Sequence, residues 1–278
     1  MQTSVRAVLS GGRQVLLRAV GDEDEAFILD TAGALLPGAR ATALVARCLP
    51  DGESAARTLT VGDREALLLH LRRLSLGESI DCVLRCPAAS CGETLECRLP
   101  ISDLLLPRPI TAGAAADPDT VSVDAGPARF RVSFRVPTAA DVDHASALGS
   151  DDFERAAKSI FERCVVAADR DAVPITAAEI PATVRAAVEA AMAAADPQAE
   201  IQLAMRCPAC GIEFTSPFDT ATFFLRELDE RATRTLHDVH ALAQHYHWSE
   251  ADILRMPARR RSQYLELVRE AKARGRAQ

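Results

Sequence analysis

Two hydrophobic periods alternate along this chain, and the places where one gives way to the other outline its elements. SVRAVL and RQVLLRAV carry strand-like patterns on either side of Gly11–Gly12, which predicts a hairpin-like pair. The acidic run GDEDE leads into AFILD and then into a Gly/Pro-punctuated loop, TAGALLPGAR. Across LTVGDREALLLHLRRLSLGES the period lengthens, with Leu67, Leu71 and Leu74 at helical spacing. Thr60 and Asp63, three residues apart, predict a variant of the capping box at its start, and Gly77 predicts a left-handed C-cap. The period then drops to two. Ile80, Cys82 and Leu84 share one face of IDCVLRC, and Leu95, Cys97 and Leu99 share one face of TLECRL. A β-hairpin with the CPAASCG turn at its tip is the result.

Residues 107–120, PRPITAGAAADPDT, are rich in Pro, Gly and Ala and read as a linker. Beyond them TVSVDA and ARFRVSFRV predict strands. SDDFERAAKSIFERCVVAAD predicts a helix with Phe153, Ala157, Ile160 and Cys164 on one stripe. TAAEIPATVRAAVEAAMAAAD predicts one or two helices, with Val184, Val188 and Met192 in register and Pro181 near a start. IQLAMRC and IEFTSPF predict a second hairpin, around CPACG. The remainder, from about Thr222, is helical: Leu225, Leu228, Ala232, Leu236, Val239, Leu242 and Ala243 form a sustained stripe. Ser249 with Asp252 caps a short helix, and Pro257 opens a last one whose apolar contacts are Tyr264, Leu265 and Val268. The fold class is therefore α+β. Residues 1–106 form an N-terminal α/β region ending in the first cysteine hairpin, and 107–221 hold inserted strands and helices plus the second. Residues 222–278 are a helical docking region.

Composition changes this picture little. The charge of −7 and pI near 5.5 argue against a protein built mainly to hold nucleic acid. The N-terminal stretch carries three arginines and then acid, unlike a signal peptide, and no apolar run reaches membrane-spanning length. A cytoplasmic chain without membrane insertion is expected, and its eight cysteines are then thiols or metal ligands.

The cysteines change the picture more. Cys86-Pro-Ala-Ala-Ser-Cys91-Gly and Cys207-Pro-Ala-Cys210-Gly each place two thiolates on one tight turn. Proline fixes φ after the first cysteine, and glycine relieves crowding after the second. Two such knuckles supply the four soft ligands of a tetrahedral zinc, so Cys86, Cys91, Cys207 and Cys210 predict a split zinc-ribbon-like site. The 116 residues from Cys91 to Cys207 far exceed the usual ribbon spacing, but closure entropy rises only logarithmically with loop length. An inserted folded unit with its ends tied by Zn2+ follows. Four thiolates leave no open coordination position, so the metal is structural and the protein is not expected to be an enzyme.

The other cysteines read as packing. Cys82 and Cys97 lie on the apolar face of the first hairpin, Cys164 on a buried helical stripe, and Cys48 after ALVARCL. His237, His240, His245 and His247 match no HExxH arrangement, and no phosphate-cradling loop or GxSxG elbow appears. Over 251–278 eight Lys/Arg face three Asp/Glu, a local charge of +5 that suits docking on an acidic neighbour.

The run LTVGDREALLLHLRRLSLGESIDCVLRCPAASCG resembles baseplate proteins of contractile phage tails. So do CPACGIEFTSPFDTATFFLREL and LHDVHALAQHYHWSEADILRMPARRRSQYLELV, with HYHWSEADILRMPARRR the most specific part. The resemblance extends to extracellular contractile injection systems and to the hub-assembly family of T-even phage baseplates. It implies a non-catalytic structural or assembly role in a phage tail-like particle, among other baseplate or tail subunits and in several copies. Two further readings stay open: a zinc-ribbon nucleic-acid-binding or regulatory protein, and a transient tail assembly chaperone.

Overall fold

The computed structural model describes residues 4–106, 118–148 and 152–276. The expected linker falls mostly on 107–117, outside the described residues. The chain opens with strands β1 (Ser4–Val8) and β2 (Gln14–Arg18), then helices α1 (Asp22–Asp30), α2 (Pro37–Cys48), α3 (Gly52–Thr58) and α4 (Val61–Leu76). The first cysteine hairpin is β3 (Ser79–Arg85) and β4 (Thr94–Pro100), followed by the single turn α5 (Ile101–Leu104). Next come β5 (Asp119–Ala125), β6 (Ala128–Phe134), α6 (Ala139–Ala147), α7 (Phe153–Cys164), β7 (Val165–Arg170), β8 (Val173–Pro174) and α8 (Ala182–Ala195). The second cysteine hairpin is β9 (Ile201–Arg206) and β10 (Glu213–Phe218). Three helices end the chain: α9 (Thr220–Tyr246), α10 (Glu250–Arg255) and α11 (Ala258–Arg276).

Two compact units emerge, one of residues 1–19 and 36–222, the other of 20–35 and 223–278. In the first, α4 is buried on nearly every side, with Leu67, Leu68, Leu69 and Leu71 all closed to solvent. That explains why a single apolar stripe describes it poorly: it is a spine, packed against β1, β2, α2, α5 and α6. Its start is more elaborate than a capping box. Thr60 Oγ1 accepts from Asp63 N–H at 3.1 Å, but the Asp63 carboxylate turns away to accept from Ser10 N–H at 2.8 Å and Ser10 Oγ at 2.6 Å. The acid thus ties the N-terminal hairpin to the helix. Gly77 has the expected positive φ of 98°, although its ψ of 178° lies outside the left-handed helical well.

Strands β5 to β8 form a four-stranded antiparallel sheet in the order β5-β6-β7-β8. Strand β6 alternates strictly enough to point Phe130, Val132 and Phe134 at one face, where Phe161 and Cys164 of α7 and Val184, Val188 and Met192 of α8 cover them. The α8 stripe is the one predicted. The α7 stripe holds in part: Ile160 and Cys164 pack on the sheet, but Phe153 is 84% exposed, and the helix stops at Cys164 instead of running through VVAAD. The β-branched pair Val165–Val166 opens strand β7 because β6 offers it a hydrogen-bonding edge, and that pairing outweighs the helical pattern before it. Buried Asp141 anchors the corner, accepting from Arg135 at 2.6 Å and from Arg163 at 2.8 Å.

In the second unit Val239, Leu242, Ile253, Leu265 and Val268 form the core, edged by Tyr246, Trp248 and Tyr264. Leu236, expected on the stripe, is 45% exposed. The acidic run before AFILD is helical, and its charges are used. Glu25 takes Arg231 at 2.7 Å and Asp22 takes Arg261 at 3.0 Å, so α1 is pinned to α9 and α11. Ser249 caps α10 as predicted, accepting from Asp252 N–H. Among the described residues no helix is long and apolar enough to cross a membrane.

Candidate metal centre

Each cysteine knuckle is a hairpin tip closed by its own backbone. In the first, Cys86 N–H donates to Glu93 O at 2.8 Å and Cys91 N–H to Ala88 O at 2.9 Å. In the second, Cys207 N–H donates to Ile212 O and Gly211 N–H to Cys207 O, both at 2.9 Å. The glycine after each second cysteine needs its freedom: Gly92 sits at φ 60° and Gly211 at φ 74°.

One pair of residues escaped the sequence reading. Arg85 Nε donates to Gly92 O at 3.2 Å, and Arg206 Nε donates to Gly211 O at 3.3 Å. An arginine immediately before the first cysteine thus braces the glycine after the second, in both knuckles. The signal is the repeated pattern Arg-Cys-Pro…Cys-Gly, in which the arginine stands outside any metal-ligand motif.

The tertiary structure brings the two tips together. All four sulphurs of Cys86, Cys91, Cys207 and Cys210 lie within 4.8 Å of one another. Cys86 Sγ is 3.7 Å from Cys210 Sγ, and Cys91 Sγ is 3.8 Å from Cys207 Sγ. Four sulphurs held tetrahedrally at a zinc–sulphur distance of about 2.3 Å stand about 3.8 Å apart. The donor set and its spacing therefore fit such an ion. Cys86 and Cys207 are buried against Leu95, with Leu84, Ala88 and Phe214 packed around them, while Cys210 is exposed at the rim.

As thiols, Cys86, Cys91 and Cys207 are unequal. The backbone N–H of Cys210, with that of Ala209, overrides desolvation at Cys207 and holds its pKa down to about 7. Ala88 N–H pulls Cys86 the same way, but desolvation and the facing thiols push it up to about 12. At Cys91 the Glu93 N–H is likewise outweighed and the pKa is raised. Cys207 takes the charge while Cys86 and Cys91 keep their protons. A divalent cation removes that conflict by neutralising several thiolates at once.

What carries the second hairpin to the first is a polar clamp at their roots. Buried Gln198, just before β9, donates to Leu104 O at 3.0 Å and accepts from Leu106 N–H at 2.7 Å. Two residues earlier, Asp196 accepts from Gly62 N–H at 2.8 Å in the first turn of α4. Residues more than 90 positions apart are thereby joined by hydrogen bonds. His237, His240, His245 and His247, which match no HExxH arrangement, are not among the residues of this cluster.

A mixed α+β unit of small antiparallel sheets, with a cysteine cluster shared by two hairpin tips, defines the class. The chain belongs to the family described as T4 bacteriophage base plate protein, whose model matches residues 39–225, about two thirds of the chain. No curated protein matches it, and no solved structure does. The matched span ends close to the boundary of the first unit at Thr222, so it includes both knuckles. It stops before HYHWSEADILRMPARRR (245–261), and it supports the baseplate expectation without its hub-assembly refinement.

Proposed function

We propose that the chain is a non-catalytic structural component of the baseplate of a contractile phage tail-like particle, fastened internally by one zinc ion on Cys86, Cys91, Cys207 and Cys210. Family membership carries the baseplate part of this reading. The 3.7 and 3.8 Å sulphur spacings between hairpins carry the metal part. In that role the zinc would supply rigidity: a closed thiolate shell offers no position for water or substrate. The hairpins and their clamp make a stiff platform, and the helical C-terminal region, with its charge of +5 over 251–278, docks on neighbouring tail subunits.

Metal analysis of the purified chain beside the Cys207→Ser/Cys210→Ser variant tests the staple. The expected result is one zinc per chain in the parent, none in the variant, and a melting temperature lower by about 5–10 °C. Equal zinc contents and equal melting would remove the staple. The baseplate role is read separately, by whether the chain copurifies with complete sheathed particles. Its presence only in incomplete ones would replace a permanent component with an assembly factor.

A further inference from the structure

The first hairpin holds a second pair of sulphurs that the metal proposal leaves unused. Cys82 of β3 and Cys97 of β4 are directly opposed in register, and their Sγ atoms are 3.2 Å apart. Cys86 N–H donates to Glu93 O beyond this pair and Ile101 N–H donates to Glu78 O before it. Both brackets lie an even number of steps from Cys82↔Cys97, so the cysteines occupy a hydrogen-bonded position of the ladder. Such positions hold Cα atoms about 5.5 Å apart, within the range that a disulfide spans.

The two thiols are not equivalent. Cys82 is buried and Cys97 is half-buried. Desolvation and the adjacent Cys97 push the Cys82 thiol up to about 12, which makes it a poor first nucleophile. Cys97 is the sulphur that a reagent meets.

We propose that Cys82 and Cys97 are an oxidisable cross-strand dithiol that closes to a disulfide when the protein meets a small-molecule disulfide, separately from the four knuckle thiols. The Cys97 thiolate attacks one sulphur of oxidised glutathione, forming a mixed disulfide and releasing one glutathione thiolate. Cys82 gives up its proton, attacks the Cys97 sulphur and displaces the second glutathione. One protein S–S bond forms, two S–H bonds are lost, and the oxidant leaves as two thiols. A reducing compartment keeps the pair open, and an oxidising one closes it. The closed link locks β3 to β4 between the Gln198 clamp at the root and the cysteine tip, fixing the register that aims Cys86 and Cys91.

The test uses the full-length chain in glutathione buffers stepped from reducing to oxidising, followed by denaturing alkylation and peptide mapping. Trypsin with a Glu-specific protease separates Cys97 from Cys86 and Cys91. The expected product joins the peptide carrying Cys82 to the one carrying Cys97, with zinc content unchanged as it appears. In Cys97→Ser, Cys82 stays free and takes up no glutathione. The proposal is overturned if both cysteines stay alkylatable while knuckle cysteines oxidise. It is equally overturned if a lasting glutathione adduct on Cys97 is the only product, or if neither cysteine reacts in any buffer, which would leave them as packing residues. Because the link is mapped peptide by peptide, it is read whether or not the chain proves to hold zinc.

Discussion

At the scale of single residues, the most informative groups are polar ones that burial has forced into an unusual state. His70 lies on α4, its Nδ1 accepting from Arg73 Nη2 at 2.9 Å. Desolvation first, and then the Arg73 charge, lower its pKa from 6.5 to about 4. The folded chain therefore binds this proton less readily than the unfolded chain does. Its neutral form is fully compatible with folding above pH 6.5, and stability is lost as pH falls from 6.5 towards 4. His70→Gln keeps an acceptor for Arg73 without titrating. Denaturant midpoints of parent and variant measured at pH 7 and pH 5 should show a smaller drop in the variant; equal drops would show that His70 does not carry the effect. Asp141 works in the opposite sense. Although burial raises it, Arg135, Thr138 and Arg163 together hold its carboxyl well below the usual range, so its contribution persists to strongly acid pH.

At the scale of elements, the question is what registers two hairpins that lie more than 100 residues apart in sequence. A metal alone would have to close that loop against chain entropy, whereas prior contacts make the closure local. Asp196 on the first turn of α4 and Gln198 at the end of α5 supply those contacts. The Asp196 carboxylate sits so close over Gly62 that a Cβ at this position would collide with it. Gly62→Ala should therefore cost about 2–3 kcal/mol, by displacing a buried carboxylate from its N–H partner. A denaturant midpoint unchanged by Gly62→Ala would mean that the clamp yields without cost. The hairpins themselves were legible from period-two alternation, as were α4, α8 and the cap of α10. The end of α7 was not, because a run such as Val165–Val166 becomes a strand only when an edge is available to pair with it.

At the scale of the whole molecule, the first unit has cores that do not depend on the cysteine cluster. Phe130, Val132 and Phe134 under α7 and α8, and the leucines of α4, are buried without it. Stripping the proposed metal with a strong chelator should thus leave far-UV circular dichroism nearly unchanged. It should lower the melting temperature and expose Cys86, Cys91, Cys207 and Cys210 to thiol reagents. Collapse of the helical signal on chelation would instead make the ion a prerequisite for folding, as in small zinc domains. The reagent should also distinguish the clusters, since Cys164 is fully buried and burial pushes its thiol up to about 11.

The sequence by itself determined the elements whose cause is local. Alternation, capping residues and the Cys-Pro…Cys-Gly turns are interactions between near neighbours, and they are written in the order of residues. The identities of the four candidate ligands were legible for the same reason. That their sulphurs meet within 4.8 Å was decided only by the tertiary structure, because Asp196 and Gln198 act on backbone groups that no local pattern announces. The same holds for α1, whose acids find Arg231 and Arg261 some 200 residues away, and for Cys82 and Cys97. Their alternation placed both on one face, but only the register of β3 against β4 set one sulphur directly beside the other.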